Sequence, residues 1–316
     1  MRFFMTPSAD KLREQYQATD PFWTDWVYDY TPTVGEYSVV VIPDVQELTA
    51  IYPEKLNRLM DWIVANKEKE NIRFVIDVGD VTWNGHAMNA EEYETAAKAF
   101  QKLRLAGVEY SVCYGNHDYT PGDERDTRLF NQYFPWSILS RFDSYGGSML
   151  PNNSENTYFC FEAAGNRYLV VSLEISPEPV TVAWAERVIA EHPDCKTIVV
   201  THQYLSNQYG QYAPNGQALW HDLICRHSNI IMVICGHDRM AHDPGSLNYR
   251  VDRGDHGNLV HQIMANSQDV DGTRGGVGLL LLMRFHDGGK RVDLNYFSPV
   301  HDCLAFKKQN QFSIGW

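Results

Sequence analysis

The chain reads as an α/β protein with two stacked β-sheets flanked by helices, and three observations carry that expectation. Strand-like and helix-like runs alternate as β-α-β-α-β between residues 37 and 114, the succession that builds a mainly parallel, buried sheet. A hairpin pattern and two further helix–strand pairs follow. Three strand candidates then succeed one another without helices between them, which calls for a second, mixed or antiparallel sheet stacked on the first.

Each element has its local reason. Residues 1–36 are aromatic and polar, are broken by "DPFW" and "TPTVGE", and read as an arm packed on a single domain spanning 37–316. The run "YSVVVIPD" is a strand that ends at Asp44. Pro53 opens a helix whose apolar residues at 56, 59, 60, 63 and 64 keep the helical period. "IRFVIDVGD" is a second strand ending at Asp80, and "AEEYETAAKAFQKLRLAG" is a helix closed by Gly107. "VEYSVCYGNHDYT" is a third strand that runs into Gly115, Asn116, His117 and Asp118. A loop-rich segment over 119–156 precedes the hairpin "NTYFCFEAAGNRYLVVSLEI". Helix "TVAWAERVIAEH", strand "KTIVVTH", helix "GQALWHDLICRH" and strand "NIIMVICGH" come next, before the candidates "NLVHQIMAN", "GLLLLMRFH" and "KRVDLNYFSP".

Composition narrows the function. With 44% hydrophobic residues the chain has enough apolar surface for a large core. No run approaches the roughly 18 apolar residues of a membrane span, and the start "MRFFMTPSADKLREQYQ" lacks the apolar core and cleavage site of a leader. A cytoplasmic location is therefore expected, with secretion the alternative had a leader been removed. Forty acidic residues against 27 basic ones give a net charge of −13 and a pI near 5.3, which disfavours extended nucleic acid as a partner. The six cysteines form no CxxC pair and read as buried free thiols.

The chemistry lies where the strands end. Five apolar runs terminate in Asp44, Asp80, Asn116 with His117, His202 and His237, and the carboxyl ends of parallel strands share one edge, where ligands bind. Carboxylate, amide oxygen and imidazole together suit Mn, Fe or Zn. A single such residue after a strand is more often a cap or turn former, but five endings in one chain argue for a common purpose. The segment after the first strand has no Gly-rich phosphate loop, so a dinucleotide fold explains less. Were two cations held at that edge they would have to share a ligand, a need that a carboxylate such as Asp80 fits. His117 is placed to act as general acid or to stabilise charge, with Asp118 orienting its ring and favouring the protonated form. The bland alternative for Asn116 to Asp118 is an Asx-type turn.

The succession "PDVQ", "VGDV", "YGNHD", "VTHQ" and "CGHD" resembles the calcineurin-like metallophosphoesterases over about two thirds of the chain. The resemblance implies a four-layer α/β/β/α sandwich holding two divalent metal ions that hydrolyse phosphoesters. It makes Asp80 the bridging carboxylate, assigns Asn116, His202 and His237 to the second metal, and assigns Asp44 to the first. Two departures matter. The usual Asp-x-His is here Asp44-Val45-Gln46, as in the ADP-ribose and CDP-alcohol diphosphatase group, and an amide oxygen ligates more weakly than imidazole. The usual Gly-His-x-His is Gly236-His237-Asp238-Arg239, and Arg239 cannot ligate, so the first metal is expected to be more weakly held; Arg239 suits a phosphate oxygen instead. The stretch "GDHGNLVHQ" is similar to one in a bacterial subset of the family and nominates His256 for metal or substrate. His261 reads as packed inside a strand, His242 and His86 as solvated, and Glu174 as a cap or surface charge that is also a site-edge candidate. The aromatic residues Phe22, Trp23, Trp26, Tyr28, Tyr30, Trp83, Tyr119, Tyr133, Phe134, Trp136, Tyr204, Tyr209 and Tyr212 could stack a base or sugar, or cover core edges. The expected substrate is a small phosphorylated molecule, whether monoester, diester or pyrophosphate. The rival reading is a degenerate member that binds metal or phosphate without turnover, motivated by Gln46 and Arg239.

Overall fold

Strand β1 (Tyr37–Ile42) is buried at every residue, because it runs down the middle of a sheet that is covered on both faces. The computed structural model describes residues 35–119, 126–241, 245–266, 268, 277–305 and 310–316. Most of the proposed arm, with its aromatic residues from Phe22 to Tyr30, and His242 lie outside the described residues. The first sheet continues from β1 through β2 (Ile72–Asp77) and the two-residue β3 (Tyr110–Ser111), all parallel. On the other side of β1 come β11 (Leu280–His286), β12 (Arg291–Ser298) and β13 (Cys303–Leu304), all antiparallel, with β14 (Gln311–Gly315) also on β12.

The second sheet has the order β4 (Tyr145–Ser148), β5 (Thr157–Ala163), β6 (Asn166–Leu173), β7 (Lys196–Thr201), β8 (Ile230–Cys235), β10 (Leu259–Met264) and β9 (Asn248–Arg253). Both sheets are mixed, as expected, but the strands are shared out differently. β11 and β12 extend the first sheet, while β7 and β8 belong to the second beside β10. The reason is visible in their burial: β11 is apolar on both faces and buried throughout, so it suits the centre of a covered sheet.

Side-chain alternation turns these sheets into a sandwich. Ile198, Val200, Met232 and Ile234 point into the core between the sheets, whereas Val199, Val233 and Cys235 join a second core under the helices. Helices α1 (Gln46–Ile51), α2 (Pro53–Asn66) and α3 (Ala90–Leu105) pack against the first sheet through Leu48, Leu56, Leu59, Met60, Ile63, Ala96, Ala99, Phe100 and Leu103. The short α4 (Arg128–Tyr133) and α5 (Trp136–Leu139) occupy the loop-rich segment. α6 (Pro179–Ala190) and α7 (Pro214–Asp222) cover the second sheet with Trp184, Val188, Leu219 and Trp220. Asn89 caps α3, accepting from Glu91 N and Glu92 N, and basic Lys102 and Arg104 sit in its last turn. All six cysteines are free, five of them buried and Cys160 partly so. Among the described residues no helix is long and apolar enough to cross a membrane.

One buried ion pair ties α2's trailing loop to the first sheet. Arg284 on β11 donates to Glu70 through Nε at 2.8 Å and Nη2 at 3.2 Å, and through Nη1 to Asn295 at 2.7 Å. Removing one member leaves a buried charge without its counterpart, so Glu70→Ala is expected to lower stability by about 3–5 kcal/mol. Urea unfolding checks this, and a loss under about 1 kcal/mol would show that water or another acceptor takes over.

Candidate metal centre

The five strand endings meet at the carboxyl edge of both sheets together. Asp44, Asp80 and Asn116 follow strands of the first sheet and His202 and His237 follow β7 and β8 of the second, so the expected single sheet edge is in fact a seam between two stacked edges. His202 is fully buried, and its Nδ1–H donates to the Val78 carbonyl at 2.8 Å. That bond turns Nε2 toward Asp80 Oδ2 and His237 Nδ1, each 3.2 Å away. Asp80, His202 and His237 each offer one ligand atom, and these atoms lie within 4.8 Å of one another.

Ligand atoms gathered so closely repel unless positive charge sits among them. Two amide oxygens enlarge the set. Gln46 donates Nε2 to Asp80 Oδ2 at 3.0 Å, which leaves its buried Oε1 without a partner, and Asn116 Oδ1 is buried and unpartnered too. Buried acceptors left bare are rare, and carboxylate, imidazole and amide oxygen are a donor set that fits a divalent transition cation. Protonation expresses the same demand. Burial pushes the His202 imidazolium down, yet the Asp80 and Asp44 carboxylates outweigh it and lift it to about 10. Burial and the neighbouring His202 drop His237 to about 4. Burial raises Asp44 well above the usual carboxylate range, whereas Asp80 is lowered because His202 overcomes its burial.

The backbone is bent to make this arrangement. Asp80 and His237 hold φ of 55° and 66°, in the left-handed region that costs a non-glycine residue about 1–3 kcal/mol. A Cβ on Gly115 would overlap Asp80 Oδ1 and come within 2.6 Å of His202 Nε2, and one on Gly236 would overlap Asp44 Oδ1. Only glycine lets these two turns approach the carboxylates.

His117 sits beside the centre but is oriented differently from the expectation. Its backbone N donates to Asp80 Oδ1 at 3.0 Å, and its ring Nδ1–H donates to the Trp83 carbonyl at 2.7 Å while the ring stacks on Trp83. Asp118 does not orient the ring: its carboxylate accepts from Val81 N, Thr82 N, Thr82 Oγ1 and Gly115 N, stapling the turn to the loop after β2. Burial and Asp80 push Asp118 up to about 6. Glu92 accepts from Trp83 N and Asn84 N at 2.7 Å each, which holds the Trp83 carbonyl in place. The His86 ring meets the His117 ring edge-on at 5.3 Å.

His256 is a second correction. It precedes β10 and its Nε2 meets the Arg226 carbonyl, ahead of β8. β8 and β10 are parallel, with Met264 opposite Cys235, so His256 lies a full strand, roughly 20 Å, from the centre. Glu174 is no surface charge but is buried against Tyr114 and Thr181. His261 is buried on Tyr249 and the Gly315 carbonyl. Among the aromatic residues, Phe134 and Tyr204 are buried and Tyr133 stacks on Tyr93, while Trp83 flanks the site. Arg239 lines a cavity of about 380 Å³ next to His237.

Asn266 was not singled out in the sequence, although it ends "NLVHQIMAN" as Asn116 ends its strand. Its Nδ2 donates to Asp44 Oδ2 and to the His237 carbonyl, both at 3.0 Å, linking the two sheets across the seam. Asp44 also accepts from His237 N at 3.0 Å. Partners that orient a ligand typically change metal affinity 10–100-fold. Asn266→Ala is therefore expected to weaken Mn binding by about that factor in a calorimetric titration; unchanged affinity would show that Asp44 holds its orientation without it.

Comparison with known proteins agrees with this fold. The family profile described as calcineurin-like phosphoesterase matches residues 37–239, more than half of the chain. YvnB, an uncharacterized protein of Bacillus subtilis (strain 168), is 27% identical over 290 residues, which is 90% of this chain and 22% of that protein. The chain thus spans under a quarter of that relative's length. A dimetal phosphatase from Danio rerio superposes with a TM-score of 0.56 at 14% identity, covering 89% of this chain and 99% of that one. GAP50, the anchor in the inner membrane complex of Plasmodium, superposes with a TM-score of 0.53 at 10% identity, covering 88% of each. Such identities bear on fold alone, whereas the profile match bears on ancestry. Matching more than half of the chain, it establishes that this chain belongs to the calcineurin-like phosphoesterase family.

Proposed function

We infer that the chain hydrolyses a phosphoester of a small molecule, using two divalent cations of the Mn, Fe or Zn type. The first would take Asp44, Gln46 and Asp80, the second Asp80, Asn116, His202 and His237. The observation that carries this reading is the meeting of Asp80, His202 and His237 ligand atoms within 4.8 Å beside two bare amide oxygens. Bound cations supply a water of lowered pKa and neutralise phosphoryl oxygens. The chain's own part is to hold the ester in line and to protonate what leaves. His117 is the residue for that proton: Trp83 engages Nδ1, so Nε2 is the nitrogen left to meet a leaving oxygen. The net charge of −13 favours small substrates over extended nucleic acid.

The test is turnover by the purified chain with Mn, Fe or Zn on p-nitrophenyl phosphate, bis-p-nitrophenyl phosphate and ADP-ribose. Metal-dependent hydrolysis that a chelator abolishes is the expected result. Tight metal uptake without turnover on any of them would instead identify a non-catalytic binder, the reading that Arg239 in place of a second histidine favours.

A further inference from the structure

Two adjoining cavities lie between α3 and α5, beside the start of β3, whereas Asn116 of the metal centre stands beyond the other end of that strand. Their volumes are about 220 and 240 Å³, and they share Arg104 and Ile138 in their walls. Together they reach the size of a small-molecule site, roughly 300–1,000 Å³. The first is walled mainly by apolar side chains, among them Phe134 and Leu139, which are 3% and 1% exposed. Tyr110 lines it too and is 3% exposed, with its ring fixed edge-on against Phe100 and Phe142 at 5.3 and 5.1 Å. Its hydroxyl makes no hydrogen bond among the described residues, and burial holds the phenol above its ordinary range, so the O–H remains a donor. The second cavity holds two guanidinium groups, Arg104 from the last turn of α3 and Arg141 just after α5. Neither side chain has a hydrogen-bonding or ion-pair partner among the described residues, and the dipole of α3 accounts for Arg104 alone. The other charges of the lining are engaged: Lys98 pairs with Glu94 at 2.7 Å, and the Glu109 carboxylate accepts from Asp143 N at 2.7 Å and Ser144 N at 3.0 Å.

We propose that these cavities form a binding site for a small monocarboxylate with an apolar body, its carboxylate held by Arg104, Arg141 and the Tyr110 hydroxyl and its body seated against Phe134, Ile138 and Leu139. Guanidinium groups match the paired oxygens of a carboxylate. Two of them against the single Glu109 carboxylate leave one net positive charge in the second cavity, in a chain whose total is −13. That balance suits a monoanion better than a phosphate dianion. A buried hydroxyl left bare costs about 1–3 kcal/mol, and a ligand oxygen arriving there recovers that loss. The apolar wall in turn favours a ligand that carries hydrocarbon over a bare inorganic anion, because burial of apolar surface stabilises the complex. No residue of the metal centre lines either cavity, so this site stands or falls apart from hydrolysis.

The experiment is a ligand-observed NMR titration of the full chain, kept in EDTA, with 3-phenylpropionate and with 3-phenylpropan-1-ol, its uncharged counterpart. The acid is expected to bind saturably and about tenfold tighter than the alcohol or better, the gain of one charge-assisted contact. Arg104→Gln and Arg141→Gln should each weaken binding of the acid at least about threefold while leaving the alcohol unchanged. Tyr110→Phe should weaken it about two- to tenfold, the loss of one hydrogen bond. Neither arginine side chain holds a partner within the fold, so both arginine variants should unfold at the parent temperature. Absence of saturable binding, equal affinity for acid and alcohol, or parent-like affinity for the acid in either arginine variant overturns the site. Binding of the acid that Asp80→Asn abolishes overturns it as well, because the probe would then sit at the metal centre.

Discussion

Asp80→Asn is expected to abolish metal binding and hydrolysis while leaving the fold in place. The Asp80 carboxylate faces Gln46, His202 and the backbone of His117 together. On the proposed reading, neutralising it removes the charge that would gather cations between the sheets, so Mn affinity should fall by more than about 100-fold, beyond what loss of an outer partner costs. Turnover should drop by about 1000-fold or more. Asparagine is the informative replacement because position 80 has φ of 55°, and Asn tolerates left-handed backbone far better than Ala does. Thermal unfolding of metal-free protein should therefore change little. Parent-like Mn uptake by Asp80→Asn would sink the assignment of the centre.

His117→Ala tests the proton donor and should show a loss that depends on the leaving group. General acid catalysis contributes about 10²–10⁴-fold, and that factor is expected in full for alkyl and sugar phosphoesters, whose alkoxides need a proton to depart. For p-nitrophenyl esters, whose leaving anion is weakly basic, the loss should be much smaller. Metal content should stay at the parent level, because the link from His117 to Asp80 runs through its backbone N, which Ala retains. Equal losses on both ester types, or loss of metal, would assign His117 to positioning rather than proton transfer.

The residues of the centre were legible because each closes an apolar strand-like run. Asp44, Asp80, Asn116, His202 and His237 interrupt sequences that otherwise serve only a core, and polar endings recurring in that way leave a signal in one dimension. Asp118 misled for the opposite reason. Adjacency to His117 suggested a ring partner, but successive residues in a turn point in different directions, and the carboxylate found four donors on Val81, Thr82 and Gly115 instead. His256 misled because a motif carries no indication of which end of a strand it occupies. Asn266 was passed over because its partners, Asp44 and His237, lie 222 and 29 positions away in the chain.

What the sequence determined by itself is the set of elements and the donor types at their ends, since hydrophobic period and turn chemistry are local properties. The tertiary structure alone decided that these ends come from two sheets, that β11 sits beside β1 and β10 beside β8, and which side chain touches which. Strand order depends on which apolar faces bury one another over long separations, and local pattern is nearly blind to that choice. The distances among Asp80, His202 and His237 follow from the stacking of the sheets, because only the stacking brings His202 and His237 across to Asp80.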